Sequence, residues 1–129
     1  MIDVARYFLN FLAGESCGKC SPCREGIKHM LAIMTRISEG KGKQGDIELL
    51  EEIATSTRKA SLCALGGSAP NPVLSTIRYF RDEYDAHIND KRCPAYVCTD
   101  LIAYDIDPKK CPACMICLRK CPADAIVGG

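Results

Sequence analysis

Apolar residues recur at helical spacing in four stretches of the chain before about Asp90, and beyond it the pattern stops. Val4, Phe8, Phe11 and Leu12 share one face of a helix predicted over residues 2–13. Ile27, Met30, Leu31, Met34 and Ile37 do the same over residues 22–38, which makes Met30 and Met34 core residues and leaves His29 in solvent. Ile47, Leu50, Ile53 and Ala54 mark a third helix, and Val73, Ile77, Phe80, Tyr84 and Ile88 a fourth. Ser21-Pro22 offers an N-cap followed by a first-position proline, Asn71-Pro72 repeats that signal, and Asp46 can cap the third helix. Residues 40–45, with glycine at 40, 42 and 45, cannot stay helical and read as an exposed, mobile turn. Four amphipathic helices with short connections predict a small bundle over residues 1–90.

The texture then changes. Residues 91–106 read as a linker in which 99–106, with tyrosine and branched side chains, form one strand. Residues 107–129 read as a loop, a short helical turn within 111–121, and a second short strand at Ala125, Ile126 and Val127. The expected fold is therefore mainly α: a four-helix bundle with a small, irregular α+β tail. That tail is too short to bury a core of its own, so a bound inorganic group or further residues must supply its cohesion.

Composition narrows the chemistry. In 129 residues, 47% hydrophobic, no stretch approaches the length of a membrane-spanning helix. A net charge of +1, with no Lys/Arg block, argues against nucleic acid as a partner. Ten cysteines exceed what packing requires. A secreted disulfide framework would account for so many, but the first residues lack a basic segment followed by an apolar run, and Cys-x2-Cys-x2-Cys spacing suits metal thiolates. The expected compartment is a reducing cytoplasm.

The thiols fall into two runs. In the first, Cys17, Cys20 and Cys23 lie at three-residue intervals on a loop that opens into the second helix. Unpaired N–H groups and the positive dipole end there favour thiolate, Lys19 and Arg24 add positive charge, and Gly18 and Gly26 let backbone approach sulfur. Three thiols so close can grip three corners of an iron–sulfur cube, with the fourth from another loop. Cys63 is the natural candidate: it is the only other cysteine of residues 1–90, and the end of the third helix of an antiparallel bundle returns to the level where the second begins. Structural zinc is the rival, although zinc ligands usually come as two pairs. On that rival reading the chain is a zinc-stabilised interaction module without redox activity. The second run is Cys111, Cys114, Cys117 and Cys121-Pro122. Between the runs, His87, Cys93 and Cys98 offer three ligands of a zinc site, or a hydrogen-bonded histidine beside two free thiols. No Ser/His/Asp or Cys/His catalytic set is arguable.

The motifs Glu15-Ser16-Cys17-Gly18-Lys19-Cys20-Ser21-Pro22-Cys23-Arg24-Glu25-Gly26 and Ser61-Leu62-Cys63-Ala64-Leu65-Gly66, followed by Ala69-Pro70, make residues 2–90 resemble a known domain. It is the C-terminal helical domain of the flavoprotein, NADH-oxidising subunit of respiratory complex I, also found in NAD(P)-dependent [FeFe]-hydrogenases and formate dehydrogenases. The resemblance implies a [4Fe–4S] cluster on Cys17, Cys20, Cys23 and Cys63, taking single electrons from FMN. It also implies NAD(P) as hydride donor, and as partners a thioredoxin-like [2Fe–2S] subunit, a larger iron–sulfur subunit and a ferredoxin. The family binds its flavin and nicotinamide in an upstream domain with a glycine-rich loop, and no such loop occurs here. A fragment or separately encoded piece of a larger subunit is expected, with Met1 an internal methionine. The second run resembles half of a bacterial two-cluster ferredoxin, in which the first three cysteines hold one cluster and the fourth reaches the other. Such a tail leans toward the hydrogenase-type relatives and is expected to be truncated after Gly129, the alternative being one cluster that borrows an irregular fourth ligand.

Overall fold

Packing between helices organises the molecule, and the computed structural model describes it for residues 1–102 and 104–126. The elements in order are α1 (Ile2–Glu15), α2 (Ser21–Ser38), α3 (Asp46–Ala60), the single-turn α4 (Ala64–Ser68), α5 (Asn71–Tyr79), α6 (Arg81–Ile88), a 3-10 turn (Thr99–Leu101) and α7 (Ile116–Lys120). Helix α1 packs on α2, α2 on α3, α3 on α5, and α5 back on α1, so the expected bundle closes. Its core is built from Ile2, Ala5 and Leu9 of α1, Ile27, Met30, Met34 and Ile37 of α2, Ile47, Leu50 and Ala54 of α3, and Val73 and Ile77 of α5. Each fully buried branched side chain contributes about 1.5–3 kcal/mol.

Helices α2 and α3 touch almost backbone to backbone beside the predicted thiol loop. A Cβ at Gly26 would lie 1.9 Å from Thr57 Oγ1, and that hydroxyl donates to the Pro22 carbonyl at 3.4 Å. This close approach, which only glycine permits, sets the end of α3 level with the start of α2.

Several expectations need correction. On α1 the buried face is Ile2, Ala5 and Leu9, with Leu12 partly covered, whereas Val4, Phe8 and Phe11 are 44%, 45% and 55% exposed. The helix carries two apolar stripes, and the one with smaller side chains at its centre is turned inward. The fourth helix is broken at Phe80 (φ −136°, ψ 37°) into α5 and α6, and Phe80 itself faces solvent. Pro70 rather than Asn71 caps α5, and Cys20 rather than Ser21 caps α2. Gly45 (φ 89°) caps α3, which puts Asp46 inside the first turn. There Asp46 accepts the Lys43 N–H at 2.8 Å and pairs with Arg36. The 40–45 turn is seated on the bundle, because Gly42 is buried against Ile37 and Ile88 and its carbonyl accepts Lys91 Nζ at 2.7 Å.

The tail departs furthest. No strand forms among the described residues, and the first part of the expected 99–106 strand is the 3-10 turn. A lone strand is unstable without a partner to satisfy its backbone groups, and none lies alongside. Ala103 and the end of the second expected strand, Val127, lie outside the described residues.

Candidate metal centres

Local sequence shapes the first thiol loop. Gly18, at φ 70°, turns the chain between Cys17 and Cys20, a conformation that favours glycine. Arg24 straps this turn from the first turn of α2, donating through Nη1 to the Gly18 carbonyl at 2.6 Å while its Nε holds Glu25 at 2.8 Å. Ser16 steadies the other side: its Oγ accepts the Gly18 N–H at 3.3 Å and lies 3.4 Å from Cys23 Sγ. Cys17 is exposed, Cys20 half-buried and Cys23 buried.

The turn carrying Cys63 lies against this loop. The backbone N–H groups of Leu62 and Cys23, turned toward the Cys20 sulfur, hold its thiol below the ordinary range. Cys63, exposed, caps α4. Two residues of the same segment form a cradle beside Cys23. A Cβ at Gly66 would meet Ser61 Oγ at 2.3 Å and Cys23 Cβ at 3.1 Å, so only glycine fits. Ser61 Oγ is buried there with no hydrogen-bond partner among the described residues. A buried hydroxyl left unsatisfied costs about 1–3 kcal/mol, and Gly66 and Cys23 line the same cradle. The donor set, thiolate-favouring electrostatics and the unpaired hydroxyl fit an iron–sulfur group.

Among the described residues, the only His, Cys, Asp or Glu group with ligand atoms all within 4.8 Å is His87, Cys93 and Cys98. All three are buried, where the end of α6 and the following loop meet the first residues of α1. His87 Nδ1 contacts the Glu83 carbonyl at 2.6 Å; a carbonyl can only accept, so Nδ1 carries the proton and Nε2 keeps its lone pair, 3.5 Å from Cys98 Sγ. Burial holds the imidazole below its usual pKa. Burial also pushes at Cys93, but the N–H groups of Cys98 and Val97 outweigh it and leave that thiol lowered. Cys98, desolvated beside Cys93, is pushed up to about 12.

The tail thiols have no such shelter. Cys111, Cys114 and Cys117 are exposed and line an apolar crevice with Ile106, Pro112 and Ile116. Cys121 Sγ accepts the Ala125 N–H at 3.4 Å, and the N–H groups of Ala125 and Ala123 lower its thiol. Ala113, Met115 and Asp124 hold φ of 57°, 57° and 48°, a strained set for side-chain-bearing residues and one that clusters around the thiols.

The cysteines were legible from spacing. Ser16, Ser61 and the strapping role of Arg24 were not; their only signal is adjacency to Cys17, Cys63 and Cys23.

Comparison with known proteins accords with this arrangement. Residues 3–87 match the NADH-ubiquinone oxidoreductase-F iron-sulfur binding region, and residues 104–127 match a 4Fe-4S binding domain. The NADP-reducing hydrogenase subunit HndC of Solidesulfovibrio fructosivorans is 48% identical over 99% of this chain and 26% of its own length. The NADH-quinone oxidoreductase of Streptomyces coelicolor has an F subunit that is 45% identical over 65% of this chain and 19% of its own length. The crystal structure of an NAD+-reducing [NiFe]-hydrogenase in the H2-reduced state superposes with a TM-score of 0.65 at 35% identity, covering 68% of this chain and 15% of that one. The chain thus spans about a quarter or less of these relatives.

Proposed function

Because the chain belongs to the NADH-ubiquinone oxidoreductase-F iron-sulfur binding region family, we propose that it is the relay segment that takes electrons from the flavin of a larger NAD(P)H-linked oxidoreductase. Iron–sulfur electron transfer is common ground for the two matched domains. In this reading Cys17, Cys20, Cys23 and Cys63 hold the bundle's [4Fe–4S] cluster. Cys111, Cys114 and Cys117 hold one in the tail, with Cys121 reaching toward a second. A cluster so held accepts and releases one electron at a time. The observation that carries the ligand set is the seating of residues 61–66 beside the 17–23 loop, through the packing of α4 on α2 and the Gly66 cradle at Cys23.

The protein's own work is positional. Arg24 and Ser16 brace the loop, and the N–H groups at Cys20 lower its thiol. The flavin, the nicotinamide, and the thioredoxin-like [2Fe–2S] subunit, larger iron–sulfur subunit and ferredoxin as partners all come from the resemblance. No helix among the described residues is long and apolar enough to cross a membrane, and a cytoplasmic site of action is part of the proposal.

The test is Cys63→Ser. The parent chain, purified without oxygen, is expected to contain iron and sulfide and to show visible absorbance that bleaches with dithionite. The variant is expected to lose the bundle's spin-resonance signal and keep the tail's. Unchanged signals would remove Cys63 as a ligand; a colourless parent chain holding zinc at both runs would select the interaction-module reading.

A specific observation favours zinc at a third place only. The 4.8 Å grouping of His87, Cys93 and Cys98, with Nδ1 oriented by a carbonyl and the Nε2 lone pair turned to Cys98 Sγ, fits three ligands of a structural zinc ion joining bundle and tail. Cys98→Ser is expected to lower zinc content while leaving the bleachable absorbance intact.

A further inference from the structure

The one buried side-chain polar atom without a partner among the described residues, Ser61 Oγ, lies in the wall of the bundle's thiol site. It is not stranded by accident of a loop's exposure. The hydroxyl is tucked against Gly66, whose missing side chain leaves room for it, and Cys23 lines the same cradle: a Cβ at Gly66 would meet Ser61 Oγ at 2.3 Å and Cys23 Cβ at 3.1 Å. Two residues further on is Cys63, the N-cap of α4, a turn that packs against α2. On the opposite side, Ser16 Oγ lies 3.4 Å from Cys23 Sγ and already accepts the Gly18 N–H, which leaves its own proton for the sulfur.

We propose that Ser61 donates its hydroxyl proton to a sulfur of the bundle's cluster and thereby raises the reduction potential of that cluster. The inference rests on the ligand set proposed above. Its physical basis is that the buried hydroxyl is satisfied only by an acceptor the polypeptide does not supply, and a sulfur-rich anion is such an acceptor. The reduced cluster carries one more negative charge than the oxidised one. A donor held in a low-dielectric wall therefore stabilises the reduced state more. One electron enters from the reductant, no bond forms or breaks at Ser61, and its proton stays on oxygen. Ser61 is a positioning and tuning residue rather than a catalytic one.

The experiment uses the full chain, reading the spin-resonance signal that depends on Cys63. In wild-type protein labelled with 15N, electron–nuclear double resonance of the reduced cluster is expected to show an exchangeable proton that is not borne by nitrogen. Ser61→Ala is expected to lose that coupling and to shift the oxidised-to-reduced ratio about tenfold toward oxidised at a fixed potential, a fall of about 59 mV for one electron. Ser61→Thr, which keeps the hydroxyl, is expected to stay near wild type.

Absence of the coupling in wild type would overturn the proposal. So would Ser61→Ala with full iron content and an unchanged midpoint. Should Ser61→Ala fail to hold its cluster, the same measurement on Ser16→Ala decides: a coupling from an exchangeable proton not borne by nitrogen is expected to remain, and its complete loss there would overturn the proposal. Failure of the underlying ligand assignment would look different, because no signal would then depend on Cys63.

Discussion

The bundle and the tail present cysteine runs of nearly the same spacing on opposite kinds of scaffold. In the bundle, Cys23 is buried on a helix that packs against two others, and the loop before it is strapped by Arg24 and Ser16. In the tail, no residue from 104 to 126 is buried, and the thiols stand among left-handed side-chain-bearing residues. The same thiol spacing therefore sits on two scaffolds. The bundle holds its thiols in place through its own core, whereas the tail has no buried residue to do so and, on the function proposed above, depends on what its thiols bind.

The largest effect follows from that difference. Stripping iron with a chelator is expected to abolish hydrogen-exchange protection throughout residues 104–126 while leaving α2 and α3 protected, as mass spectrometry would show. Equal loss in both regions would erase the distinction. Leu50→Ala, at a fully buried position, is expected to cost about 2–5 kcal/mol in denaturant unfolding of the bundle and to leave tail exchange untouched. Gly66→Ala forces a Cβ onto Ser61 and Cys23; a loss of about 1–3 kcal/mol and of bundle-cluster occupancy is expected, with tail iron unchanged.

The smallest effect is a matter of pH. Tyr84 is fully buried, and its hydroxyl is bonded to Thr76 Oγ1 at 2.7 Å. Burial pushes its pKa from 10.0 to about 12. Between those values the unfolded chain releases a proton that the folded one keeps. The stabilisation is therefore whole below pH 10 and declines toward pH 12, by up to about 2–3 kcal/mol. Tyr84→Phe should cost about 0.5–1.5 kcal/mol at neutral pH and flatten this alkaline decline, as unfolding measured across the range would reveal.

Periodicity is a good guide where one face of a helix must be buried, which is why α2 and α3 were legible down to Met34 and Leu50. It misled on α1, where Ile2, Ala5 and Leu9 compete with Val4, Phe8 and Phe11, and only the shape of the facing α2 decides between them. It was silent on the break at Phe80, since the apolar spacing runs through it. The tail strands were inferred from branched residues whose pairing partners had to come from elsewhere. Thiol spacing announced the candidate ligands, because the chemistry needs those residue types at close intervals. The flanking serines carried no comparable pattern, for a hydroxyl acquires its role only from what the fold sets against it.

Helix α1 has one more consequence. Its first residues adjoin the pocket of His87, Cys93 and Cys98, and its last residue leads into the 17–23 loop. Fourteen helical residues make a rod about 21 Å long, more than twice the roughly 8 Å over which charges feel one another in physiological salt. The rod keeps the group of His87, Cys93 and Cys98 a helix length away from the 17–23 thiols in a chain crowded with sulfur. On the ligand sets proposed above, a single ion bound at one end is therefore too far away to draw on the thiols at the other.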